Sequence, residues 1–364
     1  MITPPDLSKN LINNVTRPAL RGGALALLAA TLFGLSTPLV QRFGLGLGAF
    51  STAALLYTGA AFVALWMRQP IELEAKLQRN DLPRLLAMAG FGAVIGPVAL
   101  AWGLQRTSGT SASLMLTLEA LFTVVLAWRL YGESMDKRVT TAMLLLLAGG
   151  MALVADQGLA GNTQLLGLLA VLAATAAWGL DNSLSRGVAE CDPAQVVIVK
   201  SALGASASTV LALLFGEPMP SLQAALALFA IGAVGYGLSL RFYLLAQRAF
   251  GAARTGSVFA FAPFIGALGA FAFGDRSMGW IMLAAGVLML AGVALHLMES
   301  HGHAHSHGVL EHEHAHSHDP KQADGHHLHS HDVLPAGPHS HPHRHEPMQH
   351  AHPHVPDAHH GHAH

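Results

Sequence analysis

Apolar runs of about 20 residues alternate with short connections that hold most of the Pro, Gly and charged residues. A helix rises 1.5 Å per residue, so a run of about 20 residues crosses the roughly 30 Å hydrocarbon core of a bilayer. We therefore expect an all-α polytopic membrane protein. The predicted transmembrane helices number ten, at residues 22–41, 48–67, 85–104, 110–128, 139–155, 165–185, 193–215, 222–246, 252–273 and 278–297.

The composition agrees with this pattern, because 52% of the 364 residues are hydrophobic and only 11% are charged. A soluble protein has about 25% charged residues. Cys191 is the single cysteine, which excludes an intramolecular disulfide or a cysteine zinc cluster. We expect neither an enzyme nor a nucleic-acid-binding protein and no required cofactor; the bilayer is the first expected partner.

Lys and Arg are distributed unevenly between the two sides of the predicted bundle. One side carries thirteen of them, whereas the other carries Arg42, Arg106 and Arg276. The positive-inside rule then places both termini in the cytoplasm of a cell-membrane protein.

An internal repeat organises the membrane region. Gln105-Arg106-x-x-Gly109 recurs as Gln247-Arg248-x-x-Gly251, and Tyr131-Gly132-Glu133 recurs at the same offset as Phe273-Gly274-Asp275. The repeat unit is five helices, so an odd number of crossings makes the second copy inverted relative to the first. The expected domains are a cytoplasmic segment 1–19, a first repeat 20–156, a second repeat 164–298 and a tail 299–364.

Several motifs identify a family resemblance. They are Trp178-Gly179, Arg106-Thr107-Ser108-Gly109-Thr110-Ser111-Ala112, Ala253-Arg254-Thr255-Gly256, Phe261-Ala262-Pro263-Phe264-Ile265-Gly266-Ala267 and the pairs Gly132-Glu133 and Gly274-Asp275. With them the chain resembles ten-span proteins of the drug/metabolite transporter superfamily that have two EamA repeats. The resemblance covers about residues 22–297 and implies transport of a small metabolite or drug. It also implies that Glu133 and Asp275 shape turns.

Glu119 lies at the midpoint of the fourth apolar run. An ionisable group at the centre of a membrane helix costs at least ~2.5 kcal/mol and is tolerated mainly where it faces protein or water. We therefore expect Glu119 to bind a proton or a cationic solute. The alternative is a protonated Glu that shares a hydrogen bond with a neighbouring helix.

Three more charges fall inside predicted spans: Asp181, Lys200 and Arg241. Opposite charges at similar depth favour pairing, so we expect Asp181 to contact Lys200 or Arg241. The long Lys and Arg side chains could instead reach the headgroups.

Four other residues complete the expected substrate site: Trp178, Asn182, Thr37 and Pro263. Thr37, Ser36, Asn182 and Ser183 occupy equivalent places in the two repeats and are expected to line one cavity, with helix packing as the alternative. Pro38, Pro97 and Pro263 are expected to interrupt helical hydrogen bonding, although Leu121 replaces Pro in the first repeat, which favours a break in helix nine over one in helix four. Gly92-x-x-x-Gly96 predicts a close helix approach.

The tail contains 23 of the 24 histidines, mostly as His-x-His, and too few apolar residues for a core. We expect it to be disordered and to bind divalent metal, Zn, Ni, Co or Cu, through neutral imidazoles. It could store, deliver or sense metal, or act as a pH-responsive tether. The expected metal ligands are His301, His303, His305, His307, His312, His314, His316, His318, His339, His341, His343 and His345.

Two function classes follow. The first is a secondary carrier that exports a small organic solute and uses the tail as a metal-responsive accessory. The second is a divalent metal carrier with Glu119 and Asp181 as oxygen ligands and the tail as its loader. A membrane-anchored metal buffer is a third class, against which ten spans with buried charges argue. A homodimer is left open.

Overall fold

A computed structural model describes the backbone of residues 6–67, 77–131, 137–185, 188, 191–250 and 252–297, and of four tail segments at 301–307, 310–316, 339–345 and 348–354. Apart from the tail segments, the described chain is almost entirely helical, as the apolar runs predict. The helices are α1 (Asp6–Gly44), α2 (Ala49–Trp66), α3 (Leu82–Met88), α4 (Gly96–Leu104), α5 (Gly109–Met115), α6 (Leu118–Tyr131), α7 (Lys137–Ala160), α8 (Asn162–Ser185), α9 (Pro193–Leu214), α10 (Leu222–Ile231), α11 (Ser239–Phe250), α12 (Ala252–Phe259), α13 (Ala262–Ala272) and α14 (Trp280–Leu297).

Two seven-residue π-helical segments join α3 to α4 and α10 to α11. The first segment is Ala89–Ile95 and the second is Gly232–Leu238. Both lie at equivalent places in the predicted repeats and are rich in glycine. A π segment shifts the hydrogen-bond pattern of a helix by one residue and is often found at functional sites.

The fourth and ninth predicted spans are both interrupted. Turns at Leu116–Thr117 and Ala260–Phe261 divide α5 from α6 and α12 from α13. Pro263 occupies the first turn of α13, as expected. The break in the fourth span has no proline and is nevertheless present, although Leu121 made it the less expected of the two. Pro97 follows the first π segment, whereas α1 continues unbroken through Pro38.

Eight helical stretches in the described residues are long and apolar enough to cross a membrane. Two shorter apolar helices, Ala262–Ala272 and Trp280–His296, occupy the places of the ninth and tenth predicted spans. The chain is thus a polytopic all-α membrane protein.

The main helix contacts join the two halves of the chain. Helix α2 packs against α9, α1 against α11 and α13, α4 against α8, and α7 against α14. Small residues make this close packing possible, since Ala26, Ala29 and Ala30 of α1 are completely buried. Without a hydrophobic force between membrane helices, such small residues let backbones approach and gain van der Waals contact.

The described tail segments have strand geometry, which differs from the disorder that the composition predicts. β1 (His301–His307) pairs with β4 (Met348–His354), and β2 (Leu310–His316) pairs with β3 (His339–His345), both antiparallel. The His-x-His alternation has the period of two that a strand requires, and paired strands satisfy each other's backbone groups. Residues 317–338, which include the expected metal ligand His318, lie outside the described residues.

Candidate functional site in the membrane bundle

Helix α8 carries the polar side chains at the centre of the bundle. Trp178, Asp181 and Asn182 are three and four residues apart, so they lie on one side of this helix. That side meets the first π segment and α6. An added Cβ at Gly179 would lie 2.6 Å from Cβ of Phe122, so glycine lets α6 approach α8 closely here.

Glu119 and Asn182 form a hydrogen bond between α6 and α8. Nδ2 of Asn182 donates to Oε1 of Glu119 at 2.6 Å. The Glu119 side chain is half-buried and Asn182 is exposed, so the pair is accessible from one side. Glu119 therefore forms the interhelical hydrogen bond that was one of its two expected roles, and its binding of a proton or a cationic solute stays a prediction.

The break in helix four places Glu119 in the first turn of α6. Two backbone hydrogen bonds with the tighter spacing of three residues cross the break. The N–H of Thr117 donates to the carbonyl of Leu114 at 3.0 Å, and the N–H of Glu119 donates to the carbonyl of Leu116 at 3.1 Å. The hydroxyl of Thr117 also donates to the carbonyl of Leu114 at 2.7 Å. An acidic side chain in a first turn interacts favourably with the helix dipole. Glu119 is thus stabilised by the break as well as by Asn182.

Asp181 pairs with Lys200 of α9, which is the contact that their charges and depth predict. The carboxylate of Asp181 is buried, and Lys200 donates to its Oδ2 atom. The other oxygen, Oδ1, is buried without a hydrogen-bond partner among the described residues. A buried polar atom without a partner is uncommon, so Oδ1 is an acceptor that a ligand could use.

The predicted Gly92-x-x-x-Gly96 approach is present and has a specific purpose. The position of a Cβ on Gly92 is taken by the carboxylate of Asp181, and a Cβ on Gly96 would lie 2.7 Å from Nε1 of Trp178. Glycine at these two positions therefore lets α8 place both side chains against the first π segment.

The carbonyl of Gly92 is a shared acceptor that the sequence did not indicate. The Tyr57 hydroxyl donates to it at 2.6 Å and Nε1 of Trp178 donates to it at 2.9 Å. The π segment provides this carbonyl because its irregular pattern frees backbone groups. A tyrosine within an apolar span is a signal that could have pointed to Tyr57, because the chain has only 4 tyrosines.

Aromatic rings from both halves surround this acceptor. The ring of Phe33 lies 6.3 Å from that of Trp178, 5.8 Å from that of Tyr236 and 5.5 Å from that of Phe259, measured between centroids. Tyr57 and Tyr236 are 5.8 Å apart. These edge-on and tilted contacts are favourable for aromatic pairs and fix Trp178 in place.

Other expected site residues lie apart from the Glu119–Asn182 pair. Nη1 of Arg241 donates to the carbonyl of Met67 at 2.7 Å, so it caps the end of α2 rather than pairing with Asp181. Thr37, Ser36 and Ser183 are buried whereas Asn182 is exposed, and that the four line one cavity stays a prediction. Pro263 begins α13 and serves the helix break.

A family comparison agrees with this architecture. The model of the EamA-like transporter family matches the chain twice, at residues 20–155 and 165–298. The chain belongs to the EamA-like transporter family. It is thus a membrane transporter of the drug/metabolite superfamily with two EamA repeats.

Two relatives extend this result. An uncharacterized transporter of Methanothermobacter thermautotrophicus is 26% identical over 293 residues, which covers 74% of this chain and 84% of the relative. A protein with a solved crystal structure is 22% identical, with a TM-score of 0.53, and the match covers 77% of this chain and 95% of that one. The second match shows a shared fold alone.

Asp275, the acidic residue of the Gly274-Asp275 pair in the second EamA repeat, caps a helix. Oδ2 of Asp275 accepts from the N–H and the hydroxyl of Thr110, both at 2.9 Å, at the start of α5. Burial would raise the pKa of Asp275, but hydrogen bonds from Ser277 and Thr110 outweigh it and lower the pKa. Asp275 therefore shapes a helix end, whereas Glu133 of the first repeat lies outside the described residues.

Among the residues whose side chains the structure describes, no group of three or more His, Cys, Asp or Glu could hold a metal ion. The imidazoles of the tail fall outside that part of the structure, so their metal ligation stays a prediction.

Proposed function

We propose that this EamA-like transporter is a secondary carrier that exports a small organic solute, with Glu119 and Asn182 at its binding site. The observation that carries the proposal is the Asn182–Glu119 hydrogen bond, because it joins the two family repeats at an accessible point. Substrate sites of inverted-repeat carriers lie between the repeats near the bilayer midplane. A solute or proton that binds Glu119 would thus act on the contact between the repeats.

The charges of the site favour a proton or a cationic group as the species that Glu119 binds. Lys200 compensates the charge of Asp181, and Arg241 is engaged at the end of α2. Glu119 is left with a neutral partner, Asn182. Because an ionised carboxylate is costly in lipid, the accessible side of Glu119 should face water.

The second EamA repeat is proposed to be inverted relative to the first, with both termini in the cytoplasm. Each repeat has five predicted spans, and the basic residues concentrate on one side. The matching positions of the two π segments support two equivalent halves. A reporter fused after His364 should be accessible from the cytoplasm alone, and external labelling of it would contradict this orientation.

The tail is proposed to bind Zn, Ni, Co or Cu as an accessory to solute transport. The His-x-His runs support this, because neutral imidazole is a good ligand for these metals. Metal as the cargo is less well supported, because the spans hold few of the His and Cys ligands that these metals prefer.

The direct test is transport in proteoliposomes against a panel of amino acids, organic cations and divalent metals, with and without a pH gradient. We expect flux of one organic class that responds to the gradient. Flux of a divalent metal with no organic substrate would favour the metal carrier instead.

Removal of residues 301–364 separates the accessory role of the tail from the carrier role. We expect the shortened protein to lose divalent metal binding, measured by calorimetry, and to keep its solute flux. Loss of a metal flux together with the tail would favour the loader hypothesis.

A further inference from the structure

An open cavity of about 700 Å³ lies at the end of the bundle opposite the predicted cytoplasmic side. Helices α2, α4, α8 and α9 and the first π segment form it, and its walls are mainly apolar. The wall residues include Phe50, Val94, Val98, Ala99, Ala173 and Leu211. The cavity shares no lining residue with the Glu119–Asn182 pair, so it is a separate site.

The cavity opens at the outer surface of the bundle, where apolar side chains are exposed. Two large wall residues, Ile95 and Trp102, are 48% and 37% exposed. Both belong to helix three, whose apolar run crosses the membrane. An apolar cavity that opens sideways from a membrane helix is in contact with acyl chains.

One end of the cavity is polar and lies where helix three leaves the hydrocarbon region, after Leu104. The guanidinium of Arg106 stacks 3.7 Å from the centre of the Trp102 ring, and its Nη1 donates to the Trp102 carbonyl at 2.9 Å. No described carboxylate lies within ion-pair distance of it. Tryptophan and arginine at this depth are typical of the membrane interface.

The acidic residue that lines the same end of the cavity, Glu217, is held by the start of α2 rather than by Arg106. The carboxylate of Glu217 accepts from the N–H of Phe50 at 3.1 Å and from the N–H and hydroxyl of Ser51, both at 2.7 Å. Glu217 therefore caps the start of α2. The cavity thus combines apolar walls with a cation that forms no ion pair among the described residues.

We propose that this cavity binds an anionic phospholipid of the adjacent leaflet, with one acyl chain between the helices and the phosphate at Arg106. Charge complementarity selects the headgroup, since the guanidinium of Arg106 attracts a headgroup of net negative charge and donates strong hydrogen bonds to its phosphate. The apolar walls select a chain rather than a soluble anion.

The test is lipid binding to the purified full-length protein, with phosphatidylglycerol and phosphatidylcholine of identical chains titrated by native mass spectrometry. We expect phosphatidylglycerol to bind about fivefold more tightly, which corresponds to about 1 kcal/mol per basic residue near the surface. Arg106→Gln should abolish that preference, whereas Arg106→Lys should keep most of it. Equal binding of the two lipids by the unaltered protein would overturn the proposal.

Arg276→Gln is the matched control, because Arg276 also follows a helix end, stacks on the ring of Phe271 in the preceding helix and donates to its carbonyl, yet lines no part of this cavity. It should leave the lipid preference unchanged. Ala173→Phe fills the cavity without changing charge and should weaken both lipids. An equal effect of Arg276→Gln and Arg106→Gln, or no effect of Ala173→Phe, would contradict the site.

Discussion

Asn182 donates to Glu119 at 2.6 Å across the two EamA repeats, although 63 residues separate them in the chain. Asn182 is exposed and Glu119 is half-buried. A ligand that reaches the carboxylate can therefore compete with an interhelical hydrogen bond, which is how binding could alter the contact between the repeats.

Asn182→Ala removes the donor and leaves the carboxylate. A hydrogen bond to a charged group contributes about 1.5–3 kcal/mol. Because the ligand no longer has to displace this bond from the carboxylate, we expect the apparent affinity for the solute to rise about tenfold or more. The measurement is the concentration dependence of flux in proteoliposomes. Asn80→Ala, at an exposed asparagine far from Asn182 in the chain, should leave the affinity unchanged. Equal affinity of the Asn182→Ala and Asn80→Ala variants would show that Asn182 has no part in binding.

The Asp181–Lys200 pair should behave as one unit in stability. Lys200→Met leaves a buried carboxylate unpaired, which costs about 3–5 kcal/mol for a buried pair. The double variant Asp181→Asn with Lys200→Met removes both charges and should recover much of that loss. A thermodynamic cycle of unfolding in detergent measures the coupling; additive effects of the two single changes would contradict an energetic pairing.

Gly92→Ala should disturb the site through contact with Asp181. The added methyl would occupy the place of the Asp181 carboxylate, and overpacking of this kind costs about 1–3 kcal/mol. We expect a lower unfolding temperature and lower flux. Gly90→Ala is the matched control in the same π segment, because nothing lies within 4 Å of its added Cβ. Similar losses in both variants would attribute the effect to the π segment alone.

The bundle itself follows from the sequence, because membrane helices are encoded by the length and apolarity of single runs. The break in helix four does not follow, since Leu116 and Thr117 include neither Pro nor Gly. We attribute the break to the packing of α5 on α13 and of α6 on α8. Such contacts between distant segments cannot be predicted from the helix propensities of the local sequence.

The site was partly predictable for a related reason. Asp181 and Lys200 are opposite charges at similar depth in lipid, and few partners exist there, so the sequence indicates their pairing. The shared carbonyl of Gly92 depends on a backbone irregularity and on Tyr57 and Trp178 meeting it from two other helices. Arg241 lies at the end of α2 instead of beside Asp181, and depth alone does not indicate which of the two basic residues forms the pair.

Asp275→Asn should weaken the start of α5. Hydrogen bonds hold the pKa of Asp275 below its usual range, so the ionised form stabilises the folded protein above the pKa of the unfolded chain. That contribution is lost as the pH falls through the lowered pKa of the folded protein. At pH 7 we expect a loss of about 0.5–2 kcal/mol, as for other helix caps, and convergence of the variant with the unaltered protein in acid.

Unfolding in detergent as a function of pH measures this difference. Asp156→Asn is a suitable comparison, because Asp156 accepts one longer hydrogen bond, at 3.2 Å from Gln157, and should cost less. A loss at Asp275 that is equal at pH 7 and in acid would contradict the cap.

The central claim concerns the carboxylate of Glu119, and Glu119→Gln in proteoliposomes tests it most directly. Gln keeps the size of the side chain and an oxygen that can accept from Asn182, but it cannot ionise. We expect an unchanged unfolding temperature, a solute flux reduced at least about tenfold, the equivalent of 1.4 kcal/mol, and no remaining dependence on the pH gradient. A Glu119→Gln protein with normal flux and normal pH dependence would contradict the account.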